Sequence, residues 1–277
     1  MAYFTTSDGL KLYFEDAGTG RPVLCLAGLT RNARDFDFVA PHLADLRLLR
    51  LDYRGRGQSD HDPDFMNYSI LREARDVIEL LDHLDLDRVT ILGTSRGGLI
   101  SMALAAKHAN RLAGVVLNDI GPEVTATGLE RIMDYVGKPP HAATLDEAAQ
   151  ALKAVSEGQF PGVPLTRWRA QAEAMFSEQP CDGLALRYDP KLRDALIGQA
   201  GVGEAPDLWQ LFDALRNTPL AVIRGENSDL LSAETVARMA DRHPGLITAT
   251  VPDRGHVPFL DEPEALDAIS ALLEASE

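Results

Sequence analysis

Val89-Thr90-Ile91-Leu92-Gly93-Thr94-Ser95-Arg96-Gly97-Gly98-Leu99-Ile100 reads as a buried strand, a sharp turn and the start of a helix. Val89, Ile91 and Leu92 form a short apolar run between Arg88 and Gly93, as a fully covered parallel strand would. The turn has the form Gly-x-Ser-x-Gly. A serine held in a strained strand-to-helix turn projects its hydroxyl from the end of the strand. Gly93 and Gly97 lack Cβ atoms, so strand and helix can close around it. The helix that begins at this point offers free backbone N–H groups where negative charge would form. Leu99, Ile100, Met102, Ala103, Leu104 and Ala106 continue the helical pattern.

The alternation on either side sets the fold class. Residues 3–6 and 10–14 are strand-like, and the Asp8-Gly9 pair between them signals a hairpin turn. Residues 22–26 form an apolar strand that runs into the loop 27–32. Residues 35–44 are expected to be helical, 46–51 a strand, and 52–59 a glycine-rich loop. Ile70, Ala74, Val77, Ile78, Leu81 and Leu84 keep helical spacing across residues 69–84. Beyond the opening stretch, residues 112–117 form another apolar strand, ending at Asn118-Asp119. Strands alternating with helices predict an α/β protein with a parallel, doubly wound sheet.

Residues 121–206 break that rhythm. They look helical, with Thr144-Leu145-Asp146-Glu147 as a capping box, and no clear strand is expected there. Alternation resumes with a strand at 220–223, a helix at 232–242, a strand at 246–251 and a helix at 263–273. The chain is therefore divided into a first core part (1–120), an inserted helical cap (121–206) and a second core part (207–277).

The totals exclude several function classes. A net charge of −15 disfavours a nucleic-acid partner. Two cysteines, Cys25 and Cys181, give neither a disulfide framework nor metal-ligand spacing, and Cys25 reads as a buried filler. No metal and no cofactor is expected. No run is long enough for a membrane span, and the first residues lack the basic and apolar segments of a secretory leader. A cytoplasmic location is expected, with no membrane partner and a homodimer left open.

A serine hydroxyl needs a base within hydrogen-bond reach, and that base needs a third group to fix its tautomer. Of seven histidines, His256 stands out, because its loop follows the last strand and precedes the last helix, at the sheet edge that carries Ser95. His42, His61, His83, His108 and His243 read as surface residues and His141 as a cap residue. Three carboxylates compete for the third place: Asp229 and Glu226 in the loop after residues 220–223, and Asp119.

Asp52-Tyr53-Arg54-Gly55-Arg56-Gly57-Gln58-Ser59, Gly93 to Gly98, Arg224-Gly225-Glu226-Asn227-Ser228-Asp229 and Gly255-His256 together resemble α/β-hydrolase-fold enzymes of the small, cap-bearing serine esterase and meta-cleavage-product hydrolase type. The resemblance covers nearly all of the chain outside the cap. It implies a mostly parallel eight-stranded sheet with helices on both faces. It implies the chain order serine, acid, histidine, with Asp229 preferred as the acid. Asp119 is read as capping the entrance of the inserted cap or as pairing with an arginine. The resemblance also implies an oxyanion hole made by the backbone N–H groups of Leu29 and Arg96. The loop holding Leu29 has Ala27-Gly28 where such enzymes usually carry His-Gly.

The function expected is hydrolysis of a small or medium carboxylic ester or lactone through an acyl-enzyme on Ser95. The alternatives are hydrolysis of a carbon–carbon bond in a diketo acid from aromatic-ring breakdown, and a ligand receptor with a retained triad. The expected partner is thus a small-molecule ester or keto acid. Arg31, Phe36, Tyr135, Trp168 and Val257 are the candidate substrate contacts. Arg96 reads as a buried ion-pair member, with Asp52 or Asp119 as partner. The sharper alternative is that Arg96 and Arg31 attract a substrate carboxylate.

Overall fold

Two alternating sets of apolar side chains on each central strand require a sheet covered on both faces, and that is the architecture found. The computed structural model describes residues 2–179, 183–200 and 207–276. Cys181 and the expected cap boundary at residue 206 lie outside the described residues. In chain order the elements are β1 (Ala2–Thr5), β2 (Lys11–Ala17), β3 (Pro22–Leu26), β4 (Arg47–Leu51), α1 (Ile70–His83), β5 (Val89–Thr94), α2 (Arg96–His108), β6 (Leu112–Asn118), α3 (Ala126–Tyr135), α4 (Leu145–Ser156), α5 (Leu165–Met175), β7 (Phe176–Gln179), β8 (Gly183–Leu186), α6 (Leu192–Ala200), α7 (Leu208–Asp213), β9 (Leu220–Gly225), α8 (Ala233–Arg242), β10 (Ile247–Val251) and α9 (Pro263–Ala275).

Eight strands form one sheet in the order β1-β2-β4-β3-β5-β6-β9-β10. The β1–β2 and β2–β4 pairs are antiparallel and the rest parallel. Leu24, Leu26, Ile91, Val115, Leu117 and Val222 face a core shared with α1 and α2. Their strand neighbours Cys25, Leu92, Val116, Ala221 and Ile223 face the opposite way, against Ala265, Ile269 and Leu272 of α9. This is the period-2 alternation of strands buried on both faces.

Three local expectations change. Residues 35–44 form two short 3-10 turns, Ala33–Phe36 and Ala40–Leu43, because Asn32 caps the first and Pro41 opens the second, leaving no run long enough for an α-helix. The inserted segment is not purely helical: β7 and β8 pair as an antiparallel hairpin. Phe36 packs under the sheet with Val39 and Leu43, 1% exposed, and is a core residue rather than a substrate contact. The capping box is present, with Thr144 Oγ1 accepting from the Glu147 N–H.

The insertion has its own core. Phe160, Trp168 and Phe176 pack with Leu145 and Ala148, and Phe259 of the main body joins them. Arg167 of α5 makes a two-bond pair with Asp261 of the main body, at 2.8 and 2.6 Å, and lies over the rings of Phe38 and Phe259. No helix among the described residues is long and apolar enough to cross a membrane.

Candidate active site

The turn after β5 brings Ser95 to the carboxyl edge of the sheet with φ 50° and ψ −109°. That positive φ is costly for a side-chain-bearing residue, and strain of this kind marks functional turns. The turn tolerates nothing larger than glycine beside it: a methyl at Gly97 would overlap the Leu26 carbonyl, and one at Gly93 would press on the Gly97 backbone. Ser95 N–H donates to the Asn118 carbonyl at 3.0 Å, tying the turn to the end of β6.

His256 arrives on the loop between β10 and α9. Its Nε2 lies 3.0 Å from Ser95 Oγ, and its Nδ1 lies 2.8 Å from Asp119 Oδ2. Asp119 follows β6 directly and is fully buried. Only an Nδ1–H can bond the carboxylate, which leaves Nε2 as an acceptor for the serine proton. Asp119 is fixed in turn, because its Oδ1 accepts from Gly225 N–H at 2.8 Å and its Oδ2 from the Ser228 hydroxyl at 2.6 Å. Asn118 Nδ2 donates to the Pro258 carbonyl at 3.1 Å, holding the histidine loop to the sheet.

The third place in this chain of contacts belongs to Asp119 and not to Asp229. Asp229 turns its carboxylate to Arg131 of α3, 2.8 Å away. Burial works to raise the Asp229 pKa, but the hydrogen bonds from Arg131 and Gln159 and the Arg131 charge hold it below the usual range. Glu226 accepts from the Asp253 N–H at 3.4 Å, in an exposed contact.

Above Ser95 opens a cavity of about 490 Å³, lined by both the main body and the insertion. Arg31, Tyr135, Trp168 and Val257 line it, together with Leu29, Phe160, Met175 and Phe259. Its wall also holds Asp35, Arg131, Lys138 and Gln171, which the sequence reading did not place there, and Asp229, which it read as the preferred acid. Asp35 had a signal, since it sits four residues after Arg31 at ion-pair spacing. Arg31 Nε donates to Asp35 at 2.8 Å and its Nη2 to Gln171. Burial pushes the Asp35 carboxyl up, against the opposing pull of Arg31. Burial also raises the Tyr135 hydroxyl.

Arg96 does not reach the cavity. Its guanidinium bonds Glu73 of α1 at 2.5 Å and the Tyr68 carbonyl at 3.0 Å, so its ion-pair partner is Glu73 and neither Asp52 nor Asp119. The backbone N–H of Arg96, at the first position of α2, lacks a helical acceptor. Leu29 lies on the loop leaving β3, beside the cavity.

A family model described as the alpha/beta hydrolase fold matches residues 21–263, most of the chain. The chain belongs to the alpha/beta hydrolase fold family. Among solved members, this alpha/beta hydrolase is similar to one from Novosphingobium aromaticivorans, with a TM-score of 0.92 and 45% identity over 99% of this chain and 97% of that one. It is 37% identical over 256 residues to the 3-hydroxybutyrate-oligomer hydrolase of Cupriavidus necator, covering 90% of this chain and 86% of that protein. It is 28% identical over 268 residues to the 2-(acetamidomethylene)succinate hydrolase of Mesorhizobium japonicum, covering 96% and 92% of the two chains. These relatives are hydrolases, and hydrolase activity is what the family membership supports for this alpha/beta hydrolase.

Proposed function

We propose that this hydrolase is a serine esterase whose substrate is a small ester of a hydroxy acid, with Ser95, His256 and Asp119 as its catalytic triad. The observation that carries the reading is the unbroken line of contacts from Ser95 Oγ through His256 to the buried Asp119, opening on one cavity. Ser95 Oγ attacks the ester carbonyl as its proton passes to His256 Nε2. Asp119 holds the ring orientation and stabilises the imidazolium. The N–H groups of Leu29 and Arg96 bind the oxyanion, each worth about 3 kcal/mol in comparable sites. The tetrahedral species collapses, the alkoxide leaves with the His256 proton, and water activated by His256 releases the acid.

The hydroxy-acid ester is favoured by the 37% identity to an oligomer hydrolase of that substrate class and by the mixed lining of the cavity, apolar walls with a few charged groups. Arg31, at the cavity wall beside Leu29, favours a second reading, cleavage of a carbon–carbon bond in a keto acid. The test is turnover of p-nitrophenyl esters from acetyl to octanoyl, of 3-hydroxybutyrate dimer and trimer, and of a vinylogous diketo acid, by wild type and Ser95→Ala. The esterase reading expects the oligomers to be cleaved fastest and Ser95→Ala to lose at least about 10⁴-fold. Faster turnover of the diketo acid than of any ester would replace it with the carbon–carbon reading.

A further inference from the structure

Two arginines behind the Ser95 turn share one carboxylate. Glu73, fully buried on α1, accepts from Arg96 Nε at 2.5 Å through Oε2 and from Arg56 Nη1 at 2.7 Å through Oε1. Each arginine is also tied to backbone. Arg56 Nε donates to the Leu29 carbonyl at 3.0 Å and its Nη1 to the Arg54 carbonyl at 2.7 Å. Arg96 Nη2 donates to the Tyr68 carbonyl at 3.0 Å. Arg56 is 1% exposed and Arg96 6%. The residues tied together in this way, Leu29 and Arg96, are the two whose N–H groups the serine-esterase reading assigns to the oxyanion.

Building on the serine-esterase reading, we propose that Glu73 is a positioning residue for the oxyanion hole, a buried strut that fixes Leu29 and Arg96 relative to one another through Arg56 and Arg96. The two N–H donors come from different loops, one after β3 and one after β5, and must both sit within about 2.7–3.1 Å of a single oxygen. The strut supplies a direct side-chain link between them on the side away from the substrate. Two guanidiniums against one carboxylate also leave a net positive charge behind the site where the alkoxide forms. Stability alone does not account for such a cluster, since buried ionic groups are often no better for stability than apolar residues of the same size.

The experiment compares wild type with Glu73→Gln and Arg96→Gln. Arg96→Gln leaves the Glu73–Arg56 pair intact and neutral, so it serves if Glu73→Gln does not fold. Each protein is checked by circular dichroism and assayed for kcat and KM on the best ester. Inhibition is then measured with a trifluoromethyl ketone, which Ser95 Oγ attacks to leave an alkoxide in the hole, and with the product carboxylic acid. A positioning role predicts kcat lower by roughly 10- to 100-fold, less than the 10²–10³ typical of losing a donor outright. KM and product affinity stay within about threefold, and trifluoromethyl ketone affinity falls by the same factor as kcat/KM. Unchanged kcat in the folded variants, or a loss of kcat with undiminished trifluoromethyl ketone affinity, overturns the proposal. Absence of Ser95-dependent turnover in the wild type would instead remove the esterase reading beneath it.

Discussion

Asp119 and Asp229 stand after neighbouring strands, β6 and β9, and differ in where their carboxylates point. Asp119 meets His256 Nδ1, and Asp229 meets Arg131. Replacing Asp119 with Asn should therefore lower kcat by about 10⁴-fold, as loss of the tautomer-fixing acid does elsewhere, while leaving the chain folded. Asp229→Asn should keep kcat within about tenfold and act mainly on KM, since its carboxylate is part of the cavity wall. Steady-state kinetics on one ester decide this, and a larger kcat loss in Asp229→Asn would reverse the assignment. Ser95 and His256 are legible in the sequence because each is marked by its own strand-turn context. The acid is not, because adjacent parallel strands deliver two carboxylates to the same edge. The choice between them rests on Arg131, 98 residues away from Asp229 in the chain. Arg96 shows the same limit, since its partner Glu73 lies on a helix whose pattern otherwise reads as plainly amphipathic.

Among the elements, most of those in the main body are recovered from sequence to within about three residues, including the four-residue β1 that the Asp8-Gly9 turn marks, and the hairpin of the insertion is not. The strands β7 and β8 have four residues each, too few for a period-2 pattern to separate from a helix end. The insertion is held to the main body by named contacts, above all Arg167 with Asp261 and with the rings of Phe38 and Phe259. A paired, two-bond guanidinium stacked on aromatic rings is worth roughly 1–3 kcal/mol. Arg167→Ala should loosen α4 and α5 without unfolding the sheet. Amide hydrogen exchange should quicken in those two helices and remain slow in β5 and β6, and KM should rise more than kcat falls. Equal protection of α4 and α5 in variant and wild type would show that the aromatic packing alone holds the insertion.

For the whole molecule, stability carries a titration signature from Asp52. Its carboxylate is 2% exposed and accepts the N–H groups of Ala33 and Gln58, joining the loops after β3 and β4. Burial nonetheless pushes its pKa up to about 6 from an ordinary 3.8. The folded chain then holds the proton more tightly than the unfolded chain, so this group's contribution to stability is greatest below about pH 4. It is lost as pH rises to about 6, by up to roughly 3 kcal/mol at about 1.4 kcal/mol per unit. Urea unfolding at pH 4 and pH 7 should show that loss in wild type relative to Asp52→Asn, and parallel pH slopes for the two proteins would refute it. A second property of the whole molecule follows from strand order. The chain leaves the sheet at β6 and re-enters it at β9, and these strands are side by side, paired from Val115 with Leu220 to Asn118 with Ile223. Because the two strands are parallel, the chain leaves at the carboxyl edge of β6 and must cross to the amino edge to begin β9, and α7, with Phe212 in the core, precedes that entry. The inserted segment closes ahead of this crossover, where Trp209 Nε1 of α7 donates to Glu123 at 2.8 Å, so it is spliced in like a panel across one seam. Lengthening, trimming or exchanging that panel costs little in chain closure, because closure entropy grows only slowly with length. The seam lies beside Ser95, Asp119 and His256 without interrupting β5, β6 or β10, so the roof of the cavity can be rebuilt while the floor that holds those three side chains stays in place.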